Sequence, residues 1–350
     1  MTAAAPPAAA PYPRFSDGEM GRRRAALEAV MAEHDVGHLL IYGANRFGSA
    51  VGWLTRWPVT REAVVVVTPG EPDVLYVDFY NHVPNAQRIA TEADVRWIGE
   101  FERPPGRVGV IGRPARDGEV DLNAAYTRLR LVKSAEEIEW IRRAAALTDA
   151  GVAALHEAAR PGVSEYELGA AIEAAWLPHG ATTHIHYLAA TPMAAPELCV
   201  PAQWPSDRRL RAGDALVFEI SASWWEYPAQ RLGTIFVDAE PTPRYRVLLA
   251  SAAATFDAVA ARLRAGATAA ELWEAARGIT IRDDLVHGFV GGYLPPVLGA
   301  RTPVPDFTFA AGMTVVVQPN VVTRDERAGV QVGELLLVTD DGYERPHQVS

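Results

Sequence analysis

Gly213-Asp214-Ala215-Leu216-Val217-Phe218-Glu219-Ile220-Ser221 and, a few residues on, Tyr227-Pro228-Ala229-Gln230-Arg231-Leu232-Gly233-Thr234 read as two β-strands whose apolar runs are broken by an acid and an amide. The pattern returns at Val315-Val316-Val317-Gln318-Pro319-Asn320 and Gly329-Val330-Gln331-Val332-Gly333-Glu334, and Val286-His287-Gly288 adds an imidazole. A carboxylate or amide inside an apolar strand is costly to bury without a partner. Several on successive strands point to one shared polar site lined by a sheet. Side chains alternate along a strand. Val217, Glu219 and Ser221 therefore share a face, as do Thr314, Val316 and Gln318. Gln331 goes with Gly333, and Glu334 points the other way unless a bulge intervenes. His184 and His186 are expected on one face of a strand over 183–189.

Outward from these strands, local signals place the rest. Ser134-x-x-Glu137, Ser164-x-x-Glu167 and Thr268-x-x-Glu271 are capping boxes, each opening a helix. The first helix should run to about 159, where Pro161-Gly162 stops it, and the second to about 177. A helix over 244–264 and strands over 314–318 and 330–339, with a short return near 344, complete this half. The N-terminal part alternates a helix over 17–34 with strands near 36–42, 63–68, 74–78, 95–98 and 108–111, which indicates a mixed-sheet α/β domain. Val108-Gly109-Val110-Ile111-Gly112 lacks the glycine spacing of a dinucleotide site. The expected organisation is a disordered tail over 1–14, an α/β domain over 15–128 and a larger α+β domain over 129–350.

Composition narrows the function. The 350 residues carry a net charge of −10, so no basic field exists for nucleic acid. The longest apolar runs are interrupted by Gly, Pro and charges, so no membrane span is expected. One cysteine, Cys199, excludes an internal disulfide framework and fits a reducing cytoplasm.

In order and spacing these polar residues resemble the pita-bread family of metallopeptidases and creatinases, over roughly residues 130–345. The resemblance implies that C-terminal fold, with a smaller creatinase-like N-terminal domain. The family's metallopeptidases hold two metal ions on two Asp, one His and two Glu. The matching positions here read Glu219, Gln230, His287, Gln318 and Gly333. Tyr227-Pro228-Ala229-Gln230-Arg231-Leu232-Gly233-Thr234 stands where the family has Tyr-x-x-Asp-x-x-Arg-Thr, and Val317-Gln318-Pro319 where it has Ile-Glu-Pro. Neutral amides are poor ligands for hard divalent ions. The family's proton-transfer histidines are missing too, since their regions read Cys199 to Asp207 and Leu294-Pro295.

The expectation from this is a kept fold, a lost metal pair and no cofactor, closest to the creatinase and ectoine-hydrolase branch. The activity expected is metal-independent hydrolysis of a C–N bond in a small amidine, guanidino or cyclic amide compound. Glu219, His287 and His186 are the candidate proton carriers. His184, Tyr227, Gln230, Gln318, Gln331, Glu334, Tyr293 and Trp224 are the candidate substrate contacts. By resemblance to creatinase, Arg46, Phe47 and Trp53 would reach a partner's site in a homodimer. A metal-free cyclase, isomerase or lyase and a non-catalytic binding protein stand as alternatives. An Xaa-Pro aminopeptidase is the reading that the ligand positions disfavour most.

Overall fold

The computed structural model describes residues 12–44, 50–280, 285–286, 290–291 and 303–348. His287, Tyr293, Arg46, Phe47 and most of the 1–14 tail lie outside the described residues. The chain divides into two compact units, Met1–Arg130 and Leu131–Ser350.

The first unit holds α1 (Asp17–Glu33), β1 (His38–Ala44), α2 (Ala50–Thr55), β2 (Glu62–Val67), β3 (Asp73–Val77), α3 (Val83–Ile89), β4 (Ala93–Trp97), β5 (Val108–Ile111), β6 (Glu119–Asp121) and α4 (Asn123–Leu131). Its six strands form one mixed sheet in the order β4-β3-β2-β1-β5-β6. Ser16 starts α1, its hydroxyl accepting from the Glu19 amide at 3.1 Å. Leu27, Met31, Leu39, Ile41, Val65, Leu75 and Ile111 fill the core. Arg23 is fully buried within it, satisfied by Glu19 at 2.7 Å and by the Trp53 carbonyl at 2.6 Å. Strand alternation does not reveal α2, an isolated short apolar turn that is wholly buried.

The second unit holds α5 (Ala135–Ala158), α6 (Glu165–Trp176), β7 (Thr182–Pro192), β8 (Asp214–Trp224), β9 (Tyr227–Phe236), α7 (Pro243–Ala260), α8 (Ala269–Thr280), β10 (Leu285–Val286), β11 (Val290–Gly291), β12 (Thr314–Val317), β13 (Asn320–Thr323), β14 (Gly329–Gln331), β15 (Gly333–Val338) and β16 (Tyr343–Glu344). The main sheet runs β11-β12-β15-β9-β8-β7, with β16 added on β15, and β10-β13-β14 form a smaller sheet. All three capping boxes form: the hydroxyls of Ser134, Ser164 and Thr268 each accept the amide three residues on at 3.2 Å. The carboxylates of Glu137, Glu167 and Glu271 return to the cap amides at 2.7 to 2.9 Å.

The helices cover one face of the main sheet. Leu216, Phe218, Ile220 and Ala222 of β8 pack on Val152, Leu155, Leu168 and Ile172 of α5 and α6. Val315, Val317, Leu336 and Val338 of β12 and β15 pack on Phe256, Val259, Leu272 and Ala276 of α7 and α8. Each large side chain buried this way contributes about 1.5–3 kcal/mol. A one-residue slip of β8 would turn this apolar set outward and Glu219 into the helices, so burial fixes the register. Thr148 of α5 reinforces it from above, donating to the Ala229 carbonyl at 2.7 Å and accepting the Ala222 amide at 2.9 Å.

Candidate active site

Glu219 projects from the face of β8 opposite the helices. In the ladder it lies between Tyr187 of β7 and Leu232 of β9, and Leu232 in turn pairs with Gly333 of β15. Ser221 pairs with Gln230, which puts that amide on the same face. Three amides converge on the carboxylate. Gln230 Nε2 donates to Glu219 Oε1, and Gln318 Nε2 lies 3.5 Å from Oε2. The Gln331 side chain donates a third hydrogen bond. Burial pushes the Glu219 carboxyl above the usual carboxylate range, while the bonds from Gln230 and Gln331 pull it back in part. Gln230 and Gln331 are themselves buried.

Two residues outside the sequence-based candidates join this cluster. The Thr234 hydroxyl accepts the Gln331 amide at 3.1 Å and lies 3.3 Å from the Gln331 carbonyl, pinning β14 across the site face of β9. Asn320 pairs with Gln331 in the β13–β14 ladder, so its side chain shares that face. Spacing carried the signal for Asn320, which lies two residues beyond Gln318.

Other candidates lie elsewhere. His186 pairs with Ile220 and therefore faces the helices, its Nδ1 3.0 Å from Glu173 of α6. A bulge between Thr183 and Ile185 takes His184 off the ladder and leaves it exposed, so the two histidines do not present a common face to Glu219. Trp224 and Tyr227 flank a two-residue hairpin turn in which Trp225 and Glu226 both take positive φ, as a type I′ turn demands. Both of these aromatic side chains turn to α5. Arg143 sits 3.7 Å over the Trp224 ring, and the Tyr227 hydroxyl donates to Glu137 at 2.7 Å. Glu334 shares the helix-facing side with Leu336 and is ion-paired to Arg345. Trp53 is buried in the core of the first unit, edge-on to Tyr126. Arg231 pairs with Asp149 at 3.4 Å on the helix side, so it does not neutralise Glu219.

The described donors do not fit the family's metal pair. Among the described residues no three His, Cys, Asp or Glu side chains are grouped to hold an ion. At the fifth ligand position the backbone has closed as well. A Cβ on Gly333 would lie 2.3 Å from the Val317 carbonyl oxygen and 3.1 Å from Gln318 Cα. A carboxylate there would need β12 and β15 to part.

The fold is that of a pita-bread domain, and comparison gives the family. Residues 139–340 match Metallopeptidase family M24, and the chain belongs to that family. It is 27% identical over 228 residues to the probable dipeptidase PepE of Mycobacterium bovis and of Mycobacterium tuberculosis, covering 61% of this chain and 58% of those proteins. The match thus spans under two thirds of the relatives' length. In structure it is similar to the prolidase from Pyrococcus furiosus, with a TM-score of 0.78 and 20% identity over 92% of this chain and 99% of the other. It is also similar to the dipeptidase PepE from Mycobacterium ulcerans, with a TM-score of 0.79 and 20% identity over 97% and 98%. These relatives overturn the expectation of a hydrolase for amidine, guanidino or cyclic amide C–N bonds, and with it the cyclase, isomerase, lyase and non-catalytic alternatives. The peptidase reading, which the ligand positions disfavoured, fits the relatives best. The match is to the M24 family as a whole, and it does not single out the creatinase branch.

Proposed function

We propose that this chain is a hydrolase of the peptide bond in short peptides, with Glu219 as the proton carrier of its site. Membership of the M24 family and likeness to dipeptidases and prolidases support the reaction class. The observation that carries the site is the meeting of Glu219 with Gln230, Gln318 and Gln331 on the face of the main sheet opposite α5 and α6. In the family a bound metal pair polarises the scissile carbonyl and activates water. The described donors here do not fit it, so the chemistry derived is that of the side chains alone.

A buried carboxyl with a raised pKa is suited to exchange protons near neutrality. As water adds to the carbonyl carbon, its proton passes to Glu219. As the C–N bond breaks, that proton passes to the departing amine nitrogen. Gln230 and Gln331 hold the carboxylate in one orientation. Gln318, at 3.5 Å from Glu219, can turn its N–H toward the carbonyl oxygen where negative charge develops.

The test is incubation with a panel of dipeptides and tripeptides, including Xaa-Pro sequences, with products identified by mass spectrometry. Cleavage is expected, and Glu219→Gln should lower it about 100-fold or more, the usual worth of a general acid–base group. Cleavage that survives Glu219→Gln would remove that residue from the reaction. A panel left wholly intact would refute the reaction class.

A further inference from the structure

Gln230 meets Glu219 on one face of the main sheet, while its two chain neighbours are gripped from the other. Before it, the Thr148 hydroxyl of α5 donates to the Ala229 carbonyl at 2.7 Å and accepts the Ala222 amide at 2.9 Å. Ala222 and Ala229 are ladder partners, so this one hydroxyl bridges β8 and β9. Ser221 Oγ donates to the same carbonyl at 3.0 Å. A helical threonine hydroxyl commonly bonds back to its own helix; this one is fully buried and crosses to the sheet. After Gln230, the next residue of α5, Asp149, meets Arg231 at 3.4 Å. Two consecutive helix residues thus hold β9 immediately before and after the amide that Glu219 uses.

Asp149 also ties down the end of the chain. Its carboxylate accepts the Gln348 amide at 2.8 Å and lies 2.8 Å from His347 Nδ1. Burial pushes the Asp149 carboxyl up, but the bonds from His347 and Gln348 and the charge of Arg231 bring it below the usual range. The grip on Arg231 is therefore that of a charged group in a fixed orientation.

We propose that Thr148 and Asp149 are positioning residues of the site: from behind the sheet they fix β9 on both sides of Gln230 and so keep its amide on Glu219. Neither side chain lies on the face that carries Glu219. The inference rests on the reading of Glu219 as the proton carrier, and it specifies what sets that carboxyl's hold on its proton. A hydrogen bond to the charged form lowers a carboxyl pKa. If β9 slackens, the Gln230 bond weakens and the Glu219 carboxyl rises further.

Infrared titration of the full chain carrying isotope-labelled glutamate, with Glu219→Gln subtracted in each background, reads the Glu219 carboxyl by itself. Thr148→Val should raise its midpoint by about one pH unit, the worth of one weakened bond to a charged group. Thr148→Ser restores the hydroxyl and should bring the midpoint back. Thr255→Val is the control. It makes the same exchange at a fully buried threonine of α7, whose hydroxyl donates to the Ser251 carbonyl at 2.8 Å, and it should leave the midpoint in place. Asp149→Asn should shift the midpoint in the same direction as Thr148→Val, and it decides the matter if Thr148→Val does not fold. An unmoved midpoint in the deciding variant, or an equal shift in Thr255→Val, would overturn the inference. The titration uses no substrate. If Glu219→Gln leaves peptide cleavage intact while Thr148→Val still moves the midpoint, the proton-carrier reading falls and the positioning stands.

Discussion

Gly333→Ala tests the claim that the backbone itself has closed the fifth metal position. The added Cβ would sit 2.3 Å from the Val317 carbonyl oxygen, 3.1 Å from Gln318 Cα and 3.2 Å from Leu232 Cδ1. The first two obstacles are backbone, so no rotamer change relieves them, and β12 must move away from β15 by about 1 Å to restore ordinary contact. Forcing one methyl into a packed site typically costs about 1–3 kcal/mol, and an immovable neighbour places this case at the upper end. Alanine also restricts the unfolded chain, which offsets about 0.4–1 kcal/mol. The net expectation is a loss of about 2 kcal/mol. Urea unfolding followed by tryptophan fluorescence measures it. Gly342→Ala is the control, since nothing lies closer than 3.9 Å to its added Cβ. The bond from Gln318 to Glu219 should lengthen as β12 shifts, so peptide cleavage should fall as well. A Gly333→Ala chain as stable as the Gly342→Ala control would refute the reasoning. It would mean that the two strands part freely and that glycine is no barrier to a ligand there.

Other predictions follow from single sites. Burial raises Asp73 to about 6, against the pull of Arg24 and with some help from Glu28. Its pKa is higher folded than unfolded, so its contribution to stability is full below about pH 4 and falls as pH rises through 6. Asp73→Asn should therefore stabilise the first unit by at most about 3 kcal/mol at pH 8 and by little at pH 4; a difference independent of pH in paired urea melts would sink this. Tyr227→Phe should cost about 1 kcal/mol through the lost bond to Glu137 and leave KM for any cleaved peptide unchanged, because the ring faces α5; a raised KM would return Tyr227 to the site. Equilibrium dialysis against manganese should leave no tightly held pair of ions on the chain, and a retained pair would show that amides serve where charged oxygens are expected. Glu173→Gln should leave cleavage within about twofold, since His186, its partner, lies on the helix side; a large loss would mean that the pair acts through the sheet.

Whatever depends on neighbouring residues was legible in the sequence. The three capping boxes, the β8–β9 hairpin and the alternation that separates Gln331 from Glu334 are all decided within a few positions. The meeting of Glu219 with three amides followed from the same alternation on four strands. What escaped depends on departures from regular geometry. A single extra residue in β7 upset the expected partnership of His184 and His186, and nothing in Thr182-Thr183-His184-Ile185 announces a bulge. The side to which Trp224 and Tyr227 turn was settled by their pairing across a turn of two non-glycine residues with positive φ. Gly333 reads in sequence as a deleted ligand. Only the approach of the Val317 carbonyl shows that the space for one is gone as well.

Glu137 serves two masters. One of its oxygens receives the Ser134 amide at the start of α5, and the other receives the Tyr227 phenol from the hairpin. A helix that frays at its first turn would thus slacken the strand that carries Gln230, and a disturbed hairpin would be felt at the helix start. The chain's longest helix and its site are in this way clamped by one shared screw.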